Sequence, residues 1–436
     1  MNDATPAANV PKTLRELSCA DDYDPDSMPV DTARSLIRQY LSPVTATERV
    51  HIRTALGRVL AEDVVSPLDV PGHDNSAMDG WAVRFADLPR EGTVTLRRIG
   101  DSFAGKPFGG ALGAALGPGE AVRIFTGGVM PAGADTVVMQ ERATEVEGGV
   151  QVAAGAVGKP GQNRRFAGED LKRGEVVFAV GQALNPAELG MLASLGVIEV
   201  TVYRRLRVAF FSTGDELRSI GQPLGAGEIY DSNRYTLHGM LTRLGSDVVD
   251  MGVVRDEPAA LERAFATAAA NADVVITSGG VSVGEADFVK QLLDRLGEVL
   301  FWKIAMKPGR PLAYGRIGAA HFFGLPGNPV SVMVTFYQFV RDALLVLQGR
   351  RNVTGVPTFS ATLGAPIRKA PGRTEFQRGV LAPDGAGGYT VRTTGDQGSG
   401  ILSSMSRANC FIVLPPECGN VEAGASVQVQ LLEGLI

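Results

Sequence analysis

Residues 277–287 read TSGGVSVGEAD, with the apolar run Val274-Val275-Ile276 before them and the helix-like stretch 288–296 after. Gly279, Gly280 and Gly284 let the backbone take positive φ and come close to a ligand. Free amides where the next helix starts can cradle an anion such as phosphate, with Ser278 at the entry to the turn. Carboxylates beside phosphate repel it unless a cation intervenes. Asp287, Glu216 and Asp256 are of the type that holds Mg²⁺ against phosphate oxygens. Asp287 and Asp256 also suit helix capping, a role compatible with ligand contact. Downstream, WKIAMKPGRP carries Lys303, Lys307 and Arg310, which can neutralise more anionic charge. Lys303 also fits an edge position with a solvated head. Together these residues suit chemistry on a phosphorylated substrate together with a second oxyanion.

Such a site needs a frame. From residue 204 strand-like and helix-like stretches alternate: RVAFFS, RYTLHGMLTRLG, DVVDMGVV, PAALERAFATAAA with Pro258 in its first turn, and DVVITS. Helix 288–296, the runs VLFWKIA, PLAYGRI and AHFFGL, and helix 330–347 follow. This alternation predicts a doubly wound, mainly parallel α/β sheet ending near Gly349. Ligands of such sheets bind beyond the carboxyl ends of the strands. Segments 213–216, 229–233, 255–257, 278–287 and 326–329 then share one edge. Pro326, Gly327 and Pro329 in GLPGNPV either shape the pocket or form a stiff turn. No GxxxxGK[ST] occurs, and none of these turns holds GxGxxG, so neither a P-loop nor a nicotinamide dinucleotide site is indicated.

A length of 436 residues predicts about three domains. Residues 1–27, with CADDYDPD, read as a disordered extension. The expected partition is a discontinuous N-terminal domain (28–66 plus 165–203), an inserted mostly-β lobe (67–164), the α/β domain (204–349) and a C-terminal β barrel or sandwich (350–436). A helix is expected over 31–41 with Asp31 as cap, and a less distinct one over 47–60. Net charge is -5 and no arginine-rich stripe stands out, so nucleic acid is not the expected partner. Cys19, Cys410 and Cys418 make no CxxC pair, and the histidines are scattered, which argues against a disulfide framework or a zinc site. No signal peptide is seen and no apolar run near ~18 residues is read, so a cytoplasmic protein without membrane association is expected.

The stretches DVPGHDNSAMDGWAV, VRIFTGGVMPAGADTVVMQE, STGDEL, IYDSN, VVITSGGVSVGEADF, WKIAMKPGRP and GLPGNPVS, in this order, resemble the molybdopterin molybdenumtransferases, which are related to one domain of gephyrin. The likeness spans about residues 30–436. It implies an elongated homodimer that inserts molybdenum from molybdate into the dithiolene of adenylylated molybdopterin and releases AMP, with a divalent metal, here Mg²⁺. It matches Asp79, Thr126 and Asp170 to functional positions, with the β lobe facing the partner's cleft. Glu216, Asp256 and Asp287 match the acids of the α/β domain, with Glu216 and Asp287 for metal or substrate. Lys303 and Lys307 match a basic pair. Pro326 and Pro329 match the pocket turn, and Arg378 and Ser399 match functional positions of the last domain. Lys307, Arg310 and Arg378 would hold molybdate, with Arg373 and Ser404 as lesser contributors. Trp81 replaces a usual tyrosine, and Arg310 stands where lysine is frequent. Rival readings are adenylation of molybdopterin and a scaffold role. A separate adenylating protein is a candidate partner.

Overall fold

The computed structural model of the chain describes residues 28–110, 115–280 and 286–432. Its centre is an α/β layer built from strands β1 (Arg207–Thr213), β2 (Asp247–Val254), β3 (Val274–Ser278), β4 (Gly297–Lys303), β5 (Pro311–Ile317) and β6 (Ala320–Leu325). Their order is β2-β1-β3-β6-β5-β4. The first four are parallel, and β5 and β4 complete the sheet antiparallel.

Side chains alternate across the sheet because the strand period is two. Val208 and Phe210 of β1 face one way, onto Leu237 and Met240 of helix α3 (Ser232–Arg243). Ala209 and Phe211 face the other way, onto Leu261 and Phe265 of α4 (Pro258–Asn271) and Leu292 and Leu293 of α5 (Ala286–Leu296). With both faces covered, β3 is apolar or hydroxylated throughout and wholly buried. Burying Phe210 and Phe211 contributes about 2–3 kcal/mol each. The doubly wound, mainly parallel sheet is therefore present.

Residues 47–66 and 176–203 share a separate core of Ala55, Leu60, Leu184, Leu192, Val200 and Val202. The helix expected over 47–60 is instead strand Thr47–His51 followed by a short turn. Pairing with Glu199–Tyr203 satisfies its backbone, and that partner is distant in sequence. Helix α1 (Val30–Gln39) does form, but Asp31 lies in its first turn and bonds Arg34 at 2.9 Å; Pro29 holds the cap position. Moreover, α1 packs through Val30, Ala33 and Ile37 into the α/β core, not with 176–203. The long helical run Pro329–Leu347 has mean hydropathy 1.5 over a membrane-spanning length, contrary to the expectation that no such run exists. It is mostly buried against the sheet.

The β lobe is a six-stranded sheet between Gly80 and Ala153. At the C-terminus, Thr358–Leu363, Thr374–Pro383, Tyr389–Thr393, Cys410–Leu414 and Ser426–Leu431 pair in a ring, closed where Thr374–Pro383 meets Cys410–Leu414. This is a barrel, the first of the two forms expected.

Candidate functional site

At the carboxyl edge of the parallel strands lies a cleft of about 560 Å³. Each strand end contributes to its lining: Thr213, Gly214 and Glu216 after β1, Asp256 after β2, Ser278, Gly279 and Gly280 after β3, and Gly327, Asn328 and Pro329 after β6. Residues 230–233, where α3 begins, close one side.

The glycines have a steric cause. Gly279 has φ +93°, and a Cβ there would lie 2.6 Å from the Thr213 carbonyl oxygen. Gly280 has φ +70°, and its Cβ would lie 3.0 Å from Thr213 Oγ1. The turn after β3 thus runs against the end of β1 at a separation no side chain permits.

Asn233 ties three elements together. Its Nδ2 donates to Ser278 Oγ at 2.7 Å and to the Gly327 carbonyl at 2.6 Å. Asp231 caps α3 by accepting from the Arg234 amide at 3.1 Å. What remains is open. Thr213 Oγ1, Asp231 Oδ2 and Asn233 Oδ1 are buried with no hydrogen-bond partner. An unsatisfied buried polar atom costs about 1–3 kcal/mol, so this floor is built for a polar ligand. Glu216 and Asp256 are exposed at the rim above it. None of the three floor residues is among the expected site residues, although segments 213–216 and 229–233, which contain them, are both expected on this edge. Their signals in the sequence are position, at a strand end and a helix start, and membership of the motifs STGDEL and IYDSN.

Of the expected residues, Glu216, Asp256, Ser278, Gly279, Gly280, Gly327 and Pro329 meet in the cleft. Pro326 is buried one residue behind it. Gly284 and the side chain of Asp287 lie outside the described residues; α5 places Asp287 in its first turn, not at the cap.

The basic residues do not line this cleft. Lys303 ends β4. Lys307 pairs with the barrel strand, its Nζ 3.6 Å from Glu375 Oε1. Arg310 is exposed, and its carbonyl accepts from the Ile304 amide.

Arg378 is 1% exposed, on the face of its barrel strand that Phe376 and its cross-strand neighbour Phe411 turn to the α/β core. Its guanidinium donates to Ser404 Oγ at 2.9 Å, to the Gly398 carbonyl at 3.0 Å and to the Asp396 carbonyl at 3.4 Å. No carboxylate pairs with it among the described residues. Burial pulls its pKa down to about 10, which still leaves it charged at neutral pH. The loop that holds it reaches the cleft: the Ser399 carbonyl accepts from the Val330 amide at 3.1 Å, and Gly400 and Leu402 join the lining. Arg373 is exposed.

Asp79 and Thr126 meet on the β lobe, away from this chain's cleft. The Thr126 amide and hydroxyl both donate to Asp79 Oδ1 at 2.8 Å. These two bonds, the amide first, hold the Asp79 pKa below the usual carboxylate value. Trp81 is buried beside them, with Arg123 5.3 Å over its ring. Asp170 lies on an exposed turn, its amide bonded to the Val70 carbonyl.

Among the described residues no group of three or more carboxylate, histidine or cysteine side chains is close enough to hold a metal ion by itself.

Family models match nearly the whole chain: the MoeA N-terminal region (domain I and II) over residues 28–196, a probable molybdopterin binding domain over 209–345, and the MoeA C-terminal region (domain IV) over 360–432. The molybdopterin molybdenumtransferase of Haemophilus influenzae is 47% identical over 407 residues, covering 93% of this chain and 99% of that protein. The one from a Nostoc species is 39% identical, covering 88% of each. The crystal structure of the molybdopterin biosynthesis moeA protein from Pyrococcus horikoshii superimposes with a TM-score of 0.80 at 30% identity, over 93% of this chain and 100% of that one. With its strand-end cleft, its closed barrel and identity of this extent along its length, the chain belongs to the molybdopterin molybdenumtransferase family.

Proposed function

We propose that this chain inserts molybdenum from molybdate into the dithiolene of adenylylated molybdopterin, with release of AMP. The observation that carries the reading is the unsatisfied floor of the cleft, Thr213 Oγ1, Asp231 Oδ2 and Asn233 Oδ1, at the edge where α/β sheets bind ligands. The phosphoanhydride would sit against the turns at Gly279, Gly280 and Gly327, with Ser278 and Pro329 shaping its seat.

The rim suits Mg²⁺. Its donors are hard oxygens, Asp231 Oδ2 is open, and Mg²⁺ commonly takes one or two carboxylates and completes its shell with water and substrate phosphate. Glu216 and Asp287 would hold it, with Asp256 nearby. When bound it supplies charge neutralisation between these acids and the phosphates.

Molybdate would take the second anion position, held by Lys307, Arg310 and Arg378, with Lys303, Arg373, Ser404 and Ser399 in support. Arg378 has only neutral partners, so an oxyanion would provide the counter-charge that its surroundings omit. The loop 394–402 links that arginine to the cleft. Catalysis is then mostly positioning and charge stabilisation of two anionic reactants.

The working form on this reading is a cytoplasmic homodimer. Asp79 and Thr126, with Asp170, would face the partner's cleft across the inserted lobe at 67–164. A separate molybdopterin-adenylating protein would supply the substrate. The unit boundaries at 66, 164, 203 and 349 belong to the same reading.

Purified protein given adenylylated molybdopterin, molybdate and Mg²⁺ should release AMP only when molybdate is present. Glu216→Gln should lower that rate by about a hundredfold or more in a folded protein of unchanged assembly. Formation of adenylylated molybdopterin from molybdopterin and ATP would instead assign the preceding step and overturn the reading.

A further inference from the structure

At the opposite, amino edge of the parallel strands lies a second recess, of about 150 Å³, where residues 56–59 and 203–205 meet the ends of α3 and of helix Arg341–Leu347. Arg58, Arg204, Arg205, Arg243 and Arg350 line it, with Gln348. Asp273, Asp247 and Glu48 are the carboxylates that act on Arg204. Two of the arginines are matched directly: Arg58 bonds Glu48 at 2.5 Å, and Arg204 grips Asp273 through two bonds of 2.7 and 2.6 Å.

Arg205 and Arg350 are not explained by the same means. Arginines at helix carboxyl ends often serve to satisfy the last carbonyls. Here that need is largely met. Gln348 Nε2 donates to the Leu244 carbonyl at 2.8 Å, and a single Arg205 nitrogen donates to the Gly245 carbonyl at 3.0 Å. Arg205 has no carboxylate partner among the described residues. The Arg350 guanidinium has no hydrogen-bond acceptor among them either, and its Nε is buried. Burial, and then the positive charge of Arg341, push the Arg350 pKa below its ordinary value. Cations gathered around a small recess with donors to spare call for an anion.

We propose that this recess binds a small tetrahedral dianion of the phosphate class, held by Arg350 and Arg205 and backed by Arg243. The recess admits one such ion with little else. An ion there would join the N-terminal unit to the α/β layer at the segment 203–205 that connects them. The inference stands apart from the proposed function, since the two clefts lie at opposite strand ends and share no lining residue.

The test is calorimetric titration and thermal unfolding of the whole protein with inorganic phosphate, against chloride at equal ionic strength, and with molybdate in parallel. Phosphate should raise the unfolding midpoint by about 2 °C or more beyond chloride. Arg350→Gln should bind phosphate about tenfold or more weakly and lose that shift. Its midpoint without phosphate should equal or exceed that of the native chain, because a half-buried charge repelled by Arg341 is removed. Arg205→Gln should also weaken binding. The larger Arg350-dependent shift, with phosphate or with molybdate, names the source of the ion. If neither anion stabilises the native chain beyond chloride, or if Arg350→Gln keeps the full response, the proposal is wrong.

Discussion

The same four parallel strands end in two different ways. At the carboxyl edge the polar valences are left open: Thr213, Asp231 and Asn233 each keep a buried atom without a partner. At the amino edge the central carboxylate is fully engaged, although Ser246 Oγ and His321 Nδ1 also stay without a partner. Asp273 accepts two bonds from Arg204 and one from the Arg207 amide at 2.8 Å, while its carbonyl accepts from the His321 amide at 2.9 Å. The open atoms of the carboxyl edge share one cleft, whereas the acid at the amino edge is closed by the protein itself. The difference teaches where stability and function are kept apart in this fold. Changes at the carboxyl edge should act on chemistry, and changes at the amino edge on folding, except at the arginine recess.

The largest expected effect tests this division with a single methyl group placed at each edge. Gly279→Ala drives a Cβ to 2.6 Å from the Thr213 carbonyl at φ +93°. It should lower AMP release by about a hundredfold or more, because a misplacement of ~1 Å at a positioned site has that effect. Gly318→Ala, in the turn between β5 and β6 at the amino edge, also has positive φ (+58°) but meets nothing within 4 Å. It should cost only about 1–2 kcal/mol of backbone strain and leave the rate alone. Equal losses of rate in the two variants would remove the distinction between the edges.

The next effect belongs to the amino edge alone. His321 is the second residue of β6, which is buried throughout, and is 4% exposed. Burial, and then the charge of Arg316, lower its pKa from 6.5 to about 4, against a smaller opposing pull from Asp273. The folded state therefore accepts the proton less readily than the unfolded chain. The stability this group permits is complete above pH 6.5, falls as pH drops toward 4, and is level below that. The gap amounts to about 3 kcal/mol. Urea unfolding at pH 7 and pH 4.5 should show a steep loss in the native chain and a smaller one in His321→Gln. Parallel losses would mean that His321 is not the group responsible.

How much of this was legible in the sequence follows from the range of the forces involved. The α/β alternation from residue 204 could be read because strand and helix periods are local, and the turns at 279–280 and 327 could be read because glycine and proline announce a backbone need. The long motifs carried the family. The strand at 47–51 could not be read, since its partner at 199–203 is remote and a short polar-apolar mixture suits either state. Asp31 has the residue type of a cap, yet the cap is Pro29, two residues earlier. The open atoms of Thr213, Asp231 and Asn233 are a property of packing: the sequence shows the polar residue but not which of its valences are used. Arg378 shows the same limit. Its motif was visible, but not its burial among neutral partners. Nor could the sequence show that Lys307 would be engaged by Glu375 of the barrel strand rather than stand in the cleft.

The smallest effect makes the sharpest distinction between the edges. Asp273→Asn keeps the shape of the side chain and removes its charge. Burial alone would raise the Asp273 pKa, but the Arg204 bonds, the Arg207 amide and the charges of both arginines hold it below the ordinary carboxylate value. A depressed folded value means that its contribution is complete above about pH 4 and is lost as pH falls through the folded value. Asp273→Asn should therefore destabilise the protein by about 1–2 kcal/mol at pH 7, and the gap to the native chain should narrow below pH 4. Because the residue sits at the closed edge, AMP release at 25 °C should stay within about twofold, a barrier change under 0.5 kcal/mol. A large loss of rate without loss of stability would show that the two ends of the strands are coupled through the sheet, and that the amino edge helps to set the geometry at Ser278 and Thr213, where β3 and β1 end.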